Sequence, residues 1–348
     1  MHSRGPSTII SILMPVRNEI DHIGNSIRAV LFQNYDMGSL EIIIADGMSG
    51  DGTREIINKF RADHPKLKLI DNPGLIVSTG LNNALKHAKG DIIIRVDGHS
   101  EIAPDYVSSC VRHLQEKEVD AVGGPMETVG ETTIAQVIAL AMSSPFGVGN
   151  SSFRTSKNKS KLVDTVPFPA YRRETIDELG LFDEELVRNQ DDEYNYRLRK
   201  FGGKVLLAED VRARYYSRGS LSSLFKQYFQ YGYWKVRVLQ KHPAQMKPRQ
   251  FVPLLFVLSL LVTILASLIS VWGKLALSLI LGSYFLSNLI ASIWTARGKN
   301  WKFILALPFA FTILHLSYGI GFLVGLFRFI HRWGDKDGKV PTLQEVHA

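Results

Sequence analysis

Cysteine is nearly absent: Cys110 is the one cysteine in 348 residues. No internal disulfide can staple the chain, and a reducing compartment is the matching expectation. No secretory leader is legible either. The apolar stretch Thr8–Val16 is too short for a signal core with a cleavage site, and it reads as a strand. Internal repeats and low-complexity segments are missing, which excludes solenoids, propellers and fibrous chains.

What is present falls into two unlike parts. Residues up to about 250 have the mixed composition of an α/β domain. From there to about residue 330 the chain is mostly Leu, Ile, Phe, Val and Ala. The net charge of +8 is uneven, with Lys235, Arg237, Lys241, Lys247 and Arg249 clustered just before the apolar part. Beside apolar spans, such a cluster is expected to face anionic lipid headgroups on the cytoplasmic side, not nucleic acid.

In the first part, short β-rich runs at Ile9–Met14, Glu41–Ala45, Leu67–Ile70, Asp91–Val96 and Asp120–Gly123 alternate with helical stretches. Those stretches lie near Asp21–Phe32, Thr53–Arg61, Ile76–Lys89 and Pro104–Glu116. The alternation predicts βαβ units and a parallel sheet covered by helices. Such sheets bind ligands beyond the carboxyl ends of their strands.

Three apolar segments follow: Phe251–Gly273, Leu275–Trp294 and Phe303–Ile330. The first two, about 20 residues each, are long enough to cross a hydrocarbon core of about 30 Å. In the third, Pro308 and the glycines at 319, 321 and 325 are candidates for kinks. Arg297, Lys299 and Lys302 precede it and Arg328, Arg332 and Lys336 follow it. A simple span would put these on opposite sides, against the positive-inside tendency, whereas a bent or re-entrant segment would not. Residues 219–250, rich in aromatics and cations over 219–241, have the composition of an amphipathic helix and linker in the interface plane, a plain packed helix under the domain being the alternative. The expected domains are thus 1–218 catalytic, 219–250 interfacial, 251–331 membrane-spanning and 332–348 a tail.

Polar residues after the strands are where chemistry is expected. Asp97 and His99, two apart on an extended segment, point to the same side. Together they can hold one divalent cation, whose Lewis acidity would neutralise a departing diphosphate. A capping aspartate beside an exposed histidine is the plainer alternative. Asp46 opens a Gly- and Asp-rich turn, and its carboxylate can accept from a base or ribose, or simply shape the turn. Glu19, after Pro15 and Asn18, can do the same. In Gln190-Asp191-Asp192-Glu193, a carboxylate can serve as general base toward a hydroxyl. Acidic residues there also suit a helix N-terminus.

Taken in order, these sites resemble family 2 of the inverting glycosyltransferases, whose fold is GT-A. Ile12–Glu19 resembles that family's opening strand and Pro-x-x-Asn-Glu loop, and Asp46–Thr53 its Asp-Asp-Gly-Ser-x-Asp-Gly-Thr turn. Gly90–His99 resembles its metal-binding strand, with His99 where aspartate is commoner. The resemblance spans about residues 7–240 and is closest to the succinoglycan-biosynthesis type. It implies a GT-A domain, a Rossmann-like and mostly parallel sheet with flanking helices, followed by C-terminal transmembrane helices. It also implies a nucleotide-sugar donor gripped by Pro15, Arg17, Asn18, Glu19, Asp46 and Asp97, and Mg²⁺ or Mn²⁺ on Asp97 and His99. Asp191, or its neighbour Asp192, becomes the base, and Gln190, Gln230, Tyr231 and Trp234 face the acceptor. That acceptor is a polyprenyl-diphosphate-linked or other membrane-held sugar, reached from the cytoplasmic face of the inner membrane. Two departures matter. Gln190 stands where the family carries Glu, and Tyr233 stands where processive synthases carry the arginine of Gln-x-x-Arg-Trp. The second favours transfer of a single sugar over chain elongation, with a polyprenyl-phosphate transferase and a processive synthase as the rivals, and a non-catalytic nucleotide-binding membrane scaffold as the remote one.

Overall fold

The structure, a computed structural model, describes residues 8–149, 151–156, 159–336 and 338–341. The chain begins as the alternation predicts: β1 (Ile10–Val16), α1 (Ile23–Leu31), β2 (Leu40–Asp46), α2 (Thr53–Asp63), β3 (Leu67–Asp71), α3 (Val77–His87) and β4 (Ile92–Arg95). Next come β5 (Ser100–Ile102), α4 (Tyr106–Glu116), β6 (Ala121–Gly123), β7 (Met126–Val129), α5 (Thr133–Met142), α6 (Pro145–Val148) and α7 (Ser152–Thr155). Then follow β8 (Lys161–Leu162), β9 (Ala170–Arg172), α8 (Arg173–Leu179), α9 (Gln190–Lys200), β10 (Val205–Leu207) and β11 (Ala213–Tyr216). Four long helices close the chain: α10 (Leu221–Lys241), α11 (Val252–Ser267), α12 (Val271–Ala296) and α13 (Phe303–Arg328).

The main sheet has the order β3-β2-β1-β4-β9-β6-β10-β8. Its pairs β2–β3, β1–β2, β1–β4 and β6–β10 are parallel, whereas β9 runs antiparallel between β4 and β6. Every residue of β1 is buried, as expected of a central strand covered on both faces. The sheet is the mostly parallel, helix-flanked one the sequence implies.

Residues cluster into two compact units. The first runs to Glu127, takes in Ser156–Tyr215 and resumes at Gly338. There the chain end is tied to the loop after α8, Lys339 donating from its backbone N–H to Asp183 Oδ1 at 3.0 Å. Of the expected tail, residues 342–348 lie outside the described residues.

The second unit joins Thr128–Thr155 to the chain from Tyr216 onward. Ser220 starts α10 by accepting the Ser223 N–H on its hydroxyl. Glycines, read from sequence as kink candidates, have another role here. A Cβ on Gly232 would lie 2.0 Å from the Tyr318 carbonyl oxygen, and one on Gly321 would lie 2.1 Å from that of Phe229. α10 and α13 therefore meet backbone to backbone, the close approach that small residues allow between apolar helices.

Three expectations are corrected. The first apolar segment does not reach Gly273: the chain turns at 268–270, where Ser270 caps α12. α11 has 16 residues, about 24 Å at ~1.5 Å per residue, too short to cross alone. Only α12 and α13, of 26 residues each, are long and apolar enough to be candidate spans among the described residues. Their exposed side chains are strongly apolar, Leu279 at 73% and Phe309 at 66%. The third segment is one helix with Pro308 inside it, not a re-entrant pair. Finally, the basic cluster does not all face outward: Lys235, Arg237 and Lys241 are buried. Arg237 is wholly enclosed, bonded to Gln240 at 2.6 Å and paired with Asp335 at 3.5 Å. Backbone carbonyls and an acid beyond α13 replace the headgroups.

Candidate active site

β1 and β4 stay paired only from Ile10 with Ile92 to Leu13 with Arg95. β1 and β2 continue to Val16 with Asp46. A crevice therefore opens between β1 and β4 at the carboxyl ends, where the strand order reverses. Pro15 lies in that freed stretch. The Val96 N–H reaches Leu13 O and the Gly47 N–H reaches Val16 O, so by alternation the Pro15 nitrogen faces the opened side. Proline has no N–H to leave unpaired there.

The loops after β1 and β2 are zipped together. Asn18 accepts the Gly50 N–H on Oδ1 at 3.1 Å and donates its own N–H to Ser49 Oγ at 2.8 Å. The Glu19 N–H donates to Thr53 Oγ1 at 2.8 Å, and the Ile20 N–H to Asp51 Oδ2 at 3.1 Å. Asn18, Met48 and Asn189 all have φ near +60°, a strained state for residues with a Cβ. The Arg17 side chain runs across Gly47, 3.1 Å from where a Cβ would stand, so any larger residue there would have to push it aside. Arg17 itself is exposed.

Asp46 is completely buried, and its carboxylate is occupied from within the protein. Ser49 donates to it from Oγ at 2.5 Å and from its N–H at 3.0 Å, and Arg54 donates from Nη1 at 2.8 Å. Arg54 also donates to Asp71 at 2.8 Å. The outward groups of this chain are Arg54 and Asp71, since Asp46 has no exposed oxygen.

At the other side of the crevice, Arg95 ends β4. Its Nε and Nη2 donate to the two oxygens of Asp97 at 2.8 and 3.2 Å. Its Nη1 lies 3.8 Å from Asp191 Oδ2. Burial pushes the Asp97 carboxyl up, but Arg95, His99 and Arg188 outweigh it and hold the carboxyl below its ordinary value. Burial likewise opposes the charge on Arg95, and Asp97 and Asp191 overcome it, raising its pKa. The two carboxylates that sequence reasoning assigned to separate tasks thus share one guanidinium. Asp191 also caps its own helix end, accepting the Asp192 N–H on Oδ1 at 2.9 Å.

His99 turns to Glu19, with Nδ1 to Oε1 at 2.8 Å. Its ring meets Tyr215 edge-on at 5.0 Å. Gln190 is buried, and its amide oxygen has no hydrogen-bond partner among the described residues. On α10, in the second unit, Gln230 and Trp234 line a groove of about 410 Å³ with Phe225, Lys226, Phe229 and Tyr233. Tyr231 lies on the next row of that helix and accepts from Gln227 at 3.1 Å.

Sequence reasoning missed Arg95, Arg54 and Arg188. For Arg95 the signal was there: a cation inside an otherwise apolar strand, Ile92-Ile93-Ile94-Arg95-Val96.

A divalent cation fits the donor set. Among the described residues, no group of three or more His, Cys, Asp or Glu side chains is placed to hold a metal. Small hard cations in phosphate-transfer sites commonly take one or two protein ligands and complete their shell with phosphate and water. Asp97 and His99 are two residues apart, and their side chains are held by Arg95 and Glu19 respectively. Among the described residues, the side-chain hydrogen bond of His99 is made through Nδ1, so His99 Nε2 and a carboxylate oxygen of Asp97 can each offer a donor atom.

Comparison with known proteins agrees with this geometry. The model of the family described as glycosyl transferase family 2 matches residues 11–180. The chain is 30% identical to the succinoglycan biosynthesis protein ExoA of Rhizobium meliloti (strain 1021), over 94% of this chain and 97% of that protein. It is 27% identical to the dolichyl N-acetyl-alpha-D-glucosaminyl phosphate 3-beta-D-2,3-diacetamido-2,3-dideoxy-beta-D-glucuronosyltransferase of Methanococcus voltae, over 92% and 97%. In fold it is similar to the mannosyltransferase PcManGT of Pyrobaculum calidifontis, solved with GDP-Man and Mn²⁺. That likeness has a TM-score of 0.57 at 19% identity and covers 93% of this chain and 91% of that one.

Proposed function

This chain belongs to glycosyl transferase family 2, and we propose that it is a membrane-anchored inverting transferase of bacterial exopolysaccharide or surface-glycan assembly. It moves one sugar from a nucleotide-sugar, a UDP-sugar, onto a lipid-linked acceptor. The observation that carries this reading is the guanidinium of Arg95, within hydrogen-bonding reach of Asp97 and beside Asp191.

In this reading Asp191 takes the proton of the acceptor hydroxyl. The hydroxyl oxygen then bonds to the anomeric carbon as the bond to the diphosphate breaks on the opposite face, so configuration inverts. Asp191 is preferred to Asp192 because Arg95 ties it to the cluster that contains Asp97. Mg²⁺ or Mn²⁺ on Asp97 and His99 would neutralise charge on the leaving diphosphate. Pro15, Arg17 and Asn18 form the loop against which the nucleotide lies. Asp46 supports the nucleoside site by holding Arg54 in place, its own oxygens being used. Gln190 is assigned to the acceptor side, next to Asp191. Gln230, Tyr231 and Trp234 are assigned to the acceptor's membrane-held part, Gln230 and Trp234 through the α10 groove. α12 and α13 are the anchor, in the inner membrane with the catalytic domain on its cytoplasmic side.

Nucleotide release by the purified full-length protein tests this reading. The assay uses UDP-, GDP- and dTDP-sugars with a bacterial lipid extract, with and without Mn²⁺. Release from one donor, abolished by EDTA and in Asp97→Ala, is the expected result. No release from any donor, together with no donor binding by calorimetry, overturns it. Product analysis separates an extended lipid-linked oligosaccharide from a monosaccharide lipid or a polymer.

A further inference from the structure

We propose that Glu19 is a positioning residue that acts through His99, presenting Nε2 of the imidazole as a ligand to the divalent cation, instead of touching the nucleotide. The inference rests on the metal-dependent reading above and assigns Glu19 a different task from the one its motif implied.

The contact itself is direct. His99 Nδ1 and Glu19 Oε1 are 2.8 Å apart, and both side chains are largely buried, 14% and 16% exposed. An ionised carboxylate can only accept a hydrogen bond, so in the neutral, metal-binding form of His99 the proton sits on Nδ1 and the lone pair on Nε2. A carboxylate behind a histidine in this way fixes both the tautomer and the ring orientation of a metal ligand.

The surroundings are built for this one arrangement. The Glu19 backbone is held by Thr53 Oγ1 at 2.8 Å. Gly98, the residue between Asp97 and His99, leaves room for the Glu19 stem: a Cβ there would stand 3.1 Å from Glu19 Cγ and 2.9 Å from Val16 Cγ1. The Gly98 carbonyl accepts from Ser26 Oγ at 2.9 Å, which pins the turn. Tyr215 meets the imidazole ring edge-on, limiting its rotation. A residue meant to grip a nucleotide would keep its carboxylate turned to the crevice. Glu19 spends an oxygen on the histidine.

The test is Mn²⁺ binding by the full-length protein in detergent, read from the free-Mn²⁺ electron paramagnetic resonance signal in the presence of UDP. No turnover is needed. Glu19→Leu, which cannot accept a hydrogen bond, should weaken Mn²⁺ binding about 10- to 100-fold. Glu19→Gln, whose amide oxygen still accepts, should fall between the two. The deciding comparison uses His99→Asp as background, because a carboxylate at 99 has no ring to orient. In that background Glu19→Leu should bind Mn²⁺ no worse than His99→Asp alone. Circular dichroism and UDP binding without metal check that each variant is folded.

Equal loss in both backgrounds overturns the proposal, since Glu19 would then act on metal or nucleotide directly. Unchanged Mn²⁺ binding in Glu19→Leu on the native background also overturns it, while leaving the transferase reading intact. A parent protein that binds no Mn²⁺ with UDP present removes the metal-dependent reading itself, and this inference with it.

Discussion

Arg95 grips both oxygens of Asp97 with two parallel N–H donors, at 2.8 and 3.2 Å, from a position that is almost entirely buried. A fork of this kind fixes a carboxylate in direction as well as in charge. Lysine, a point charge on a flexible stem, cannot reproduce it. Arg95→Lys should therefore lower kcat about 10- to 100-fold, as loss of support behind a ligand does. Arg95→Gln, lacking the charge too, should lose more. Nucleotide-release kinetics check both; parent-like kcat in Arg95→Gln would sink the idea.

Asp191 and Asp192 are separable by the same logic. Asp191→Asn should cut turnover about 10²- to 10⁴-fold, the usual worth of a positioned general base, while donor binding persists. Asp192→Asn should cost far less. Calorimetry with UDP-sugar beside kcat measures the split, and the opposite ranking would move the base one residue on.

Arg237 predicts a stability effect with no chemistry in it. Its guanidinium is wholly buried against Gln240, Asp335 and the Phe329 ring. Truncation empties a fully buried site and removes the hydrogen bond to Gln240, a loss of about 1–3 kcal/mol, while the half-exposed Asp335 keeps Arg332 as its partner. Arg237→Ala should lower the thermal midpoint in detergent by several degrees. Lys247→Ala, on an exposed residue, should leave it nearly unchanged.

Acid should weaken the catalytic unit partly through Asp210. Burial raises this carboxyl, but His113, bonded to it at 2.7 Å, and Arg112 outweigh that and hold its pKa below the ordinary value. A depressed carboxyl stabilises the fold above its unfolded pKa, and that contribution fades as pH falls through the folded value. Asp210→Asn should therefore destabilise at neutral pH and narrow the gap to the parent below about pH 4. Urea unfolding at both pH values measures the gap; a constant gap would exclude the linkage.

Much of the fold was legible because the signals are local. The βα alternation placed β4 at Asp91–Val96 and the strand is Ile92–Arg95. Burial of that central run leaves little choice. β9 was not legible: three residues, Ala170–Arg172, slot antiparallel between β4 and β6, and the pairing depends on partners about 50 to 80 residues away. The site residues were found as types and in order, since each follows a strand. Their partners were not. Glu19 and His99 are 80 positions apart, and no spacing rule joins them. The burial of Arg237 was hidden for the same reason, because its acid lies 98 residues on, past three helices.

At the glycine contacts between α10 and α13 the two backbones touch, which resists one helix sliding past the other. If α13 spans a bilayer as proposed, the groove beside Gln230 and Trp234 becomes a mark on a ruler. Its height above the lipid would then be set by the length of that span, so a thicker or thinner membrane would raise or lower the place where the proposed lipid-borne acceptor is met.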